Sequence, residues 1–286
     1  MIAKAFCPGH ITGFFQICET ENPLSTGSRG AGLCLSLGAT SKIWVSDSQS
    51  QTIEVLIDGK KSRAEVTRTA LRHLLGKDKL KIEVSTNLDL PQSQGFGMSA
   101  AGSLSASLAL TDVLGMKRQE AFEAAHIAEI VCRCGLGDVS AIHKGGVTIR
   151  KKPGLPPIGE VTRIDGTPEV VLAVVGKRLL TRSVLSDPMK RKAINEYGSR
   201  RVDELVADPT VSRMMELSAS FAVESGLASK RVMEAMHAAS KLGLASMSML
   251  GSSVFAIGDK KGLATVLSDY GEVWACKVDI KGPRMI

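Results

Sequence analysis

Aromatic residues are scarce in this chain of 286 residues: seven Phe, two Tyr and two Trp leave few rings on which bases could stack, so a nucleic-acid surface has little compositional support. No apolar run approaches the length of a membrane span, and Val170-Val171-Leu172-Ala173-Val174-Val175 is typical of the longest. Met1-Ile2-Ala3-Lys4 lacks the extended apolar core of a signal peptide, so residence in the cytoplasm is the expectation. The six cysteines, Cys7, Cys18, Cys34, Cys132, Cys134 and Cys276, match no zinc-ligand spacing. Cys132 and Cys134 are one residue apart, and no second Cys or His pair accompanies them. They read as reduced, mostly buried thiols. There is no internal repeat and no low-complexity tract.

What is present is ordinary globular usage, 44% apolar and 23% charged, which excludes a disordered chain, a collagen-like repeat and a mini-protein held by disulfides. The length suits one large domain or two modest ones sharing a cleft. The net charge of +7 is spread along the chain, with short clusters at Lys60-Lys61, Arg150-Lys151-Lys152 and Arg200-Arg201. A small anionic substrate explains that excess as well as a nucleic acid does.

Short apolar or alternating runs interleave with helical patterns, giving an α/β chain. Strands are expected over Ile2 to Phe6, Phe14 to Cys18, Leu33 to Leu37, Lys42 to Val45, Ile53 to Ile57 and Leu80 to Val84. Helices are expected over Arg63 to Leu75, Met98 to Leu114 and Arg118 to Cys134, each followed by a glycine suited to a C-cap. The proline-rich stretch Lys151 to Pro157 resists both helix and sheet and divides the chain into residues 1–155 and 156–286. Beyond it lie strands at Glu160 to Ile164, Val170 to Val175, Val254 to Ile257 and Glu272 to Val278, with helices between Met189 and Leu242 and from Lys260 to Leu267.

The most informative segment runs from Leu90-Pro91-Gln92-Ser93-Gln94-Gly95 through Phe96-Gly97-Met98-Ser99-Ala100-Ala101-Gly102-Ser103, between a strand and a helix. Gly95 and Gly97 let backbone amides approach a ligand, and the helix beginning near Ser99 aims its positive end at the same place. An anion is the natural occupant, and a hydroxyl at the helix start suits a metal ion bridging phosphates. No Gly-Lys-Ser/Thr follows, so this is not a Walker A loop. A glycine-rich turn with an N-capping Ser is the alternative on residues alone.

Pro91, Gly95, Phe96, Gly97, Met98, Ser99 and Ala100 resemble the second motif of the GHMP kinase superfamily, Pro-x-x-x-Gly-Leu-Gly-Ser-Ser-Ala, with Phe96 for Leu and Met98 for the first Ser. Pro8-Gly9-His10-Ile11-Thr12-Gly13 resembles the first motif, with His10 where Lys or Arg is usual. Ser246 to Gly258 resembles the third. The resemblance implies a two-domain fold, a ribosomal-S5-like first domain and a ferredoxin-like second one. It also implies ATP held by Pro91, Gly95, Gly97, Met98, Ser99, Ala100 and Ala101, with Mg2+ on the Ser99 hydroxyl.

Gly135-Leu136-Gly137-Asp138-Val139 offers a carboxylate between two glycine-permitted bends, and an Asp there could equally be a helix N-cap. Its likeness to the Gly-Val-Asp-Asn segment of mevalonate kinases implies that Asp138 is the catalytic base, with His10 as its neighbour in place of the usual Lys. A titrating His10 would make activity depend on pH near neutrality. His126 and Glu129, three residues apart, share a helix face. On residues alone they are a core imidazole and an exposed partner of Arg133. Aligned with the family, Glu129 is the second metal ligand.

For the acceptor, Thr26 to Gly32 is a second glycine-rich segment carrying Ser28 and Arg29, suited to a small hydroxy acid. Arg150 offers a carboxylate clamp, and Thr181 follows the first strand pair of the second half. Each has a plainer reading as a solvated or capping residue. The first motif, the Gly27 to Gly32 loop and Gly135 to Val139 together resemble the archaeal pantoate-phosphorylating branch of the superfamily. That implies a homodimer acting on pantoate and ATP, with Ser28, Arg29, His126, Arg150 and Thr181 binding the acid. A kinase for homoserine or a mevalonate relative, an RNA-binding S5-like module and a nucleotide sensor without catalysis are the alternatives.

Overall fold

A computed structural model describes residues 1–179 and 181–286, Arg182 for its backbone only. The first half contains β1 (Ile2–Cys18), β2 (Gly27–Asp47), β3 (Thr52–Ile57), β4 (Lys60–Lys61), α1 (Glu65–Leu75), β5 (Leu80–Leu88), α2 (Met98–Leu114), α3 (Arg118–Cys132), α4 (Asp138–Lys144), β6 (Val147–Lys152) and β7 (Glu160–Ile164). These strands form one sheet in the order β1-β2-β5-β3-β4, with β6 paired to the first part of β2 and β7 to β6. Helix α2 is buried around nearly its whole circumference, which its Ala, Gly and Ser residues permit by letting neighbouring elements approach closely.

The second half contains β8 (Glu169–Val174), α5 (Thr181–Leu185), α6 (Pro188–Ala207), α7 (Val211–Glu224), α8 (Lys230–Ala239), β9 (Gly243–Met247), β10 (Ser253–Gly258), α9 (Lys260–Ser268), β11 (Glu272–Lys277) and β12 (Arg284–Met285). Its antiparallel sheet has the order β11-β8-β10-β9, the ferredoxin-like arrangement expected from the resemblance. Phe255 and Leu172 pair at its centre, both fully buried.

Several features differ from the sequence reading. Strand β2 runs unbroken from Gly27 to Asp47, so the glycine-rich segment expected as a loop between strands is itself strand, paired with β1 on one side and, from Gly30, with β6 on the other. Strand β1 is continuous, because irregularities between Pro8 and His10 and between Thr12 and Phe14 absorb the proline and Gly13 without ending the ladder. Helix α3 stops at Cys132, with Arg133 in the left-handed C-cap at φ 55°, rather than running to Gly135. The division at 155/156 falls inside the first sheet, since β7 pairs with β6 and β12 returns to pair with β1; the change of sheet lies between Ile164 and Glu169. The cysteines form no disulfide among the described residues, and Cys7, Cys34 and Cys276 are buried.

Candidate active site

The three motifs meet through hydrogen bonds to backbone carbonyls. His10 N–H donates to the Phe96 carbonyl at 3.0 Å, Met249 N–H to the Thr12 carbonyl at 3.0 Å, and Ser253 Oγ to the Gln94 carbonyl at 2.5 Å. Glycine makes this approach possible: a Cβ on Gly95 would lie 2.8 Å from the Ser248 carbonyl oxygen, and one on Gly97 would lie 2.9 Å from that of His10. Both glycines also hold positive φ, at 77° and 66°, where other residues are strained.

Helix α2 starts at Met98 on a left-handed Gly97 cap, with no side-chain cap and no acidic residue in its first turn. Its first internal bond runs from Ala101 N–H to the Gly97 carbonyl. The amides of Met98, Ser99 and Ala100 therefore have no helical partner and point with the dipole toward the cleft. Ser99 is exposed there, whereas Ala100 and Ala101 are buried and provide room rather than contacts. Pro91 lies outside the cleft lining at the head of the loop. The cleft encloses about 410 Å³ and is lined by Gly95, Gly97, Met98, Ser99, Glu129 and Asp138 among others.

Ser99 Oγ donates to Glu129 Oε1 at 2.5 Å, and Glu129 is only 3% exposed. Gly135 explains the tight fit, since a Cβ there would lie 2.1 Å from Glu129 Oε2 and 3.6 Å from Asp138 Oδ2. Both carboxylates thus border one point, beside the free amides of α2. Burial, reinforced by nearby Asp138, pushes Glu129 up to about 8, while the Ser99 bond pulls it down. A buried carboxylate so raised, with a hydroxyl against it, fits a divalent cation. No cluster of three or more His, Cys, Asp or Glu occurs among the described residues, so such an ion would take its remaining ligands from phosphate and water, the habit of Mg2+.

Asp138 opens α4, and its Oδ1 accepts from His10 Nδ1 at 2.7 Å. Burial lowers the His10 pKa below its ordinary 6.5, outweighing the upward pull of Asp138. The neutral imidazole with its proton on Nδ1 fits the bond and leaves Nε2 without a hydrogen, consistent with that atom having no partner. The pH dependence expected near neutrality therefore moves to the acid side. Because the folded pKa is the lower one, the unfolded chain takes up the proton first, and stability is lost as pH falls below 6.5. Melting temperature should drop in that acid window in the wild type and drop less steeply in His10→Gln.

Arg150 is 1% exposed, yet its Nε and Nη1 have no partner; Nη2 donates weakly to Thr12 Oγ1 at 3.4 Å. Two glycines make the socket: a Cβ on Gly137 would lie 2.6 Å from Arg150 Nε and 2.3 Å from Ser28 Oγ, and one on Gly30 would lie 2.9 Å from Arg150 Nη2. Burial lowers the Arg150 pKa to about 10, while Asp138 draws it up, so the guanidinium stays charged at neutral pH. A buried cation with unpaired donors facing a cleft calls for an anion.

The structure brings Ser28, Ser99, Glu129, Asp138, Arg150 and Thr181 to one cleft, with His10 directly behind Asp138. It does not bring His126 or Arg29 there. His126 Nε2 lies against the Pro23 and Thr26 carbonyls at 3.1 and 3.0 Å and secures the loop before β2. Arg29 turns outward to the Lys151 carbonyl, Gln16 and Asp203. Thr12, Phe15, Leu136, Leu179 and Leu185 also line the cleft and had not been singled out as site residues, although Thr12 belongs to the first motif. Beside the cleft, sharing Glu65 and Cys132 with it, lies a shallow groove lined by Lys61, Arg63, Arg68 and Arg72.

Comparison with known proteins gives a concordant picture. The model of the GHMP kinases N terminal domain matches residues 64–146. The pantoate kinase of Methanocaldococcus jannaschii is 33% identical over 276 residues, covering 96% of this chain and 99% of that protein. The pantoate kinase of Thermococcus kodakarensis is 37% identical over 264 residues, covering 90% and 88%. A solved structure described as a phosphotransferase related to the CoA biosynthesis pathway superposes with a TM-score of 0.91 at 32% identity, over 100% of this chain and 99% of that one.

Proposed function

Because the chain belongs to the pantoate kinase family of the GHMP kinases, we propose that it transfers the γ-phosphoryl group of ATP to the 4-hydroxyl of pantoate, giving 4-phosphopantoate for coenzyme A synthesis. The observation that carries the choice of acceptor is the buried Arg150, whose two unpartnered nitrogens, Nε and Nη1, lie in the socket formed by Gly30 and Gly137. In this reading the pantoate carboxylate takes those donors, with Ser28 and Thr12 hydroxyls beside it. Phe15, Leu136, Leu179 and Leu185 give the geminal methyl groups an apolar wall.

The 4-hydroxyl then faces Asp138, whose Oδ1 is occupied by His10, leaving Oδ2 to receive the hydroxyl proton as the new O–P bond forms and the bond to ADP breaks. The free amides of α2 neutralise charge on the phosphates, and the groove that adjoins the cleft at Glu65 and Cys132 is left for the nucleoside end. Ser99 and Glu129 would hold Mg2+, which would supply charge compensation for the phosphates of ATP. A homodimer, which rests on the family resemblance, and a cytoplasmic location belong to the same proposal.

Glu129→Gln should raise the Mg2+ concentration for half-maximal rate by about tenfold or more, read from a metal titration at saturating ATP. The acceptor is tested by ATP consumption with pantoate, mevalonate, homoserine and galactose. We expect kcat/KM for pantoate to exceed the others by about 10²-fold or more. A higher value for any of the other three would overturn the assignment.

A further inference from the structure

We propose that Gln94 is a positioning residue for the acid acceptor, although it stands in the nucleotide loop. The proposal rests on the reading of the cleft just given. Gln94 is 4% exposed and is not among the residues lining the cleft, so it touches neither substrate. Its side chain instead spans to the second half of the molecule. Nε2 donates to the Gly176 carbonyl at 3.1 Å, and Oε1 accepts from Ser252 N–H at 3.2 Å. Gly176 follows β8 and Ser252 precedes β10, so one amide group ties together the ends of two paired strands.

The surrounding backbone is drawn to the same junction. Leu179 N–H donates to the Ser93 carbonyl at 3.1 Å, and Gly176 N–H to the Ser252 carbonyl at 3.1 Å. A Cβ on Gly251 would lie 2.1 Å from the Gln94 carbonyl oxygen. Ser93 and Leu250, on opposite sides of the junction, both hold left-handed backbones at φ 60° and 62°. Such conformations are disfavoured for residues other than glycine and persist where surrounding structure enforces them. Strain is thus concentrated where Gln94 fastens the loop to the segment beyond Gly176.

That segment supplies Leu179, Thr181 and Leu185 to the acceptor side of the cleft. Without the Gln94 amide, the Gly176 carbonyl and Ser252 N–H lose their side-chain partner; the segment keeps the Leu179 bond to the Ser93 carbonyl and the Gly176 bond to the Ser252 carbonyl but is fixed less tightly, and small displacements of positioning groups cost heavily in rate. The nucleotide side is held independently, by His10 N–H on the Phe96 carbonyl and by the Gly97 cap of α2. The kinetic effect of a substitution in the phosphate loop should therefore fall on the acid and spare ATP.

The test is steady-state kinetics of the full-length enzyme carrying Gln94→Leu, which removes both bonds. Gln94→Glu is measured beside it; that variant keeps the shape and the Ser252 bond but sets an oxygen against the Gly176 carbonyl. We expect the KM for pantoate to rise by about tenfold or more in each, with the KM for ATP within about twofold of wild type. Should the leucine variant not fold, the isosteric glutamate carries the comparison. An equal or larger rise in the KM for ATP, or no change in either constant, overturns the proposal. If wild-type enzyme turns over another acceptor and not pantoate, the assignment of the acid fails separately, and the same split is then read with the acceptor that works.

Discussion

Asp138→Asn should lower kcat by about two to four decades while leaving the apparent affinity for ATP within about twofold. The substitution keeps the shape of the side chain, and its amide oxygen can still accept from His10 Nδ1, which now holds Oδ1 at 2.7 Å. The first turn of α4 therefore survives, and the melting temperature should stay close to that of wild type. What disappears is the basic second oxygen, the one that faces the point bordered also by Glu129. Steady-state turnover and nucleotide binding measured on the same preparation separate the two effects. Turnover like that of wild type would remove Asp138 from proton transfer.

Arg150→Met should raise the KM for pantoate by about 10²-fold or more, with the KM for ATP nearly unchanged, and should leave the protein at least as stable. The two halves of that prediction have one cause. A guanidinium that is 1% exposed, with Nε and Nη1 unpartnered, is a cost to the fold that Asp138 and the weak Thr12 bond offset in part and a bound anion would offset further. Methionine fills much of the same volume without the charge. Pantoate should accordingly raise the melting temperature of wild type and not that of the variant, as mass action requires. Arg150→Ala should show the same kinetic split, with some stability lost to the cavity left behind. A variant with an unchanged KM for pantoate, or one whose constants for both substrates rise together, would contradict a carboxylate clamp.

How much of this was legible in the sequence depended on whether the signal was local. The glycine loop and the helix after it were legible because Gly95, Gly97 and the small residues after them act through their own backbone, and the structure adds that the cap is Gly97 and carries no side-chain bond. Arg150 was legible as a candidate anion ligand from charge and position, but its burial and unpaired nitrogens come from Gly30 and Gly137, which reach it only through tertiary packing.

His126 and Arg29 were read by helix face and by loop, and both signals failed for the same reason. The partners that claim them, the Pro23 and Thr26 carbonyls and Asp203, are distant in sequence. Gly135 was read as a helix stop. In the structure its missing side chain makes room for Glu129, and Arg133 closes the helix instead. The return of β12 to β1 had no local signal, since a two-residue strand next to Gly282-Pro283 carries none.

The most direct measurement is a crystal structure with pantoate, a non-hydrolysable ATP analogue and Mn2+ in place of Mg2+, with the metal located by anomalous scattering. The account predicts a manganese peak against Ser99 Oγ and Glu129, the acid's carboxylate on Arg150 and its primary hydroxyl against Asp138. A carboxylate bound in the Lys61 to Arg72 groove, or a metal peak away from both Ser99 and Glu129, would contradict it.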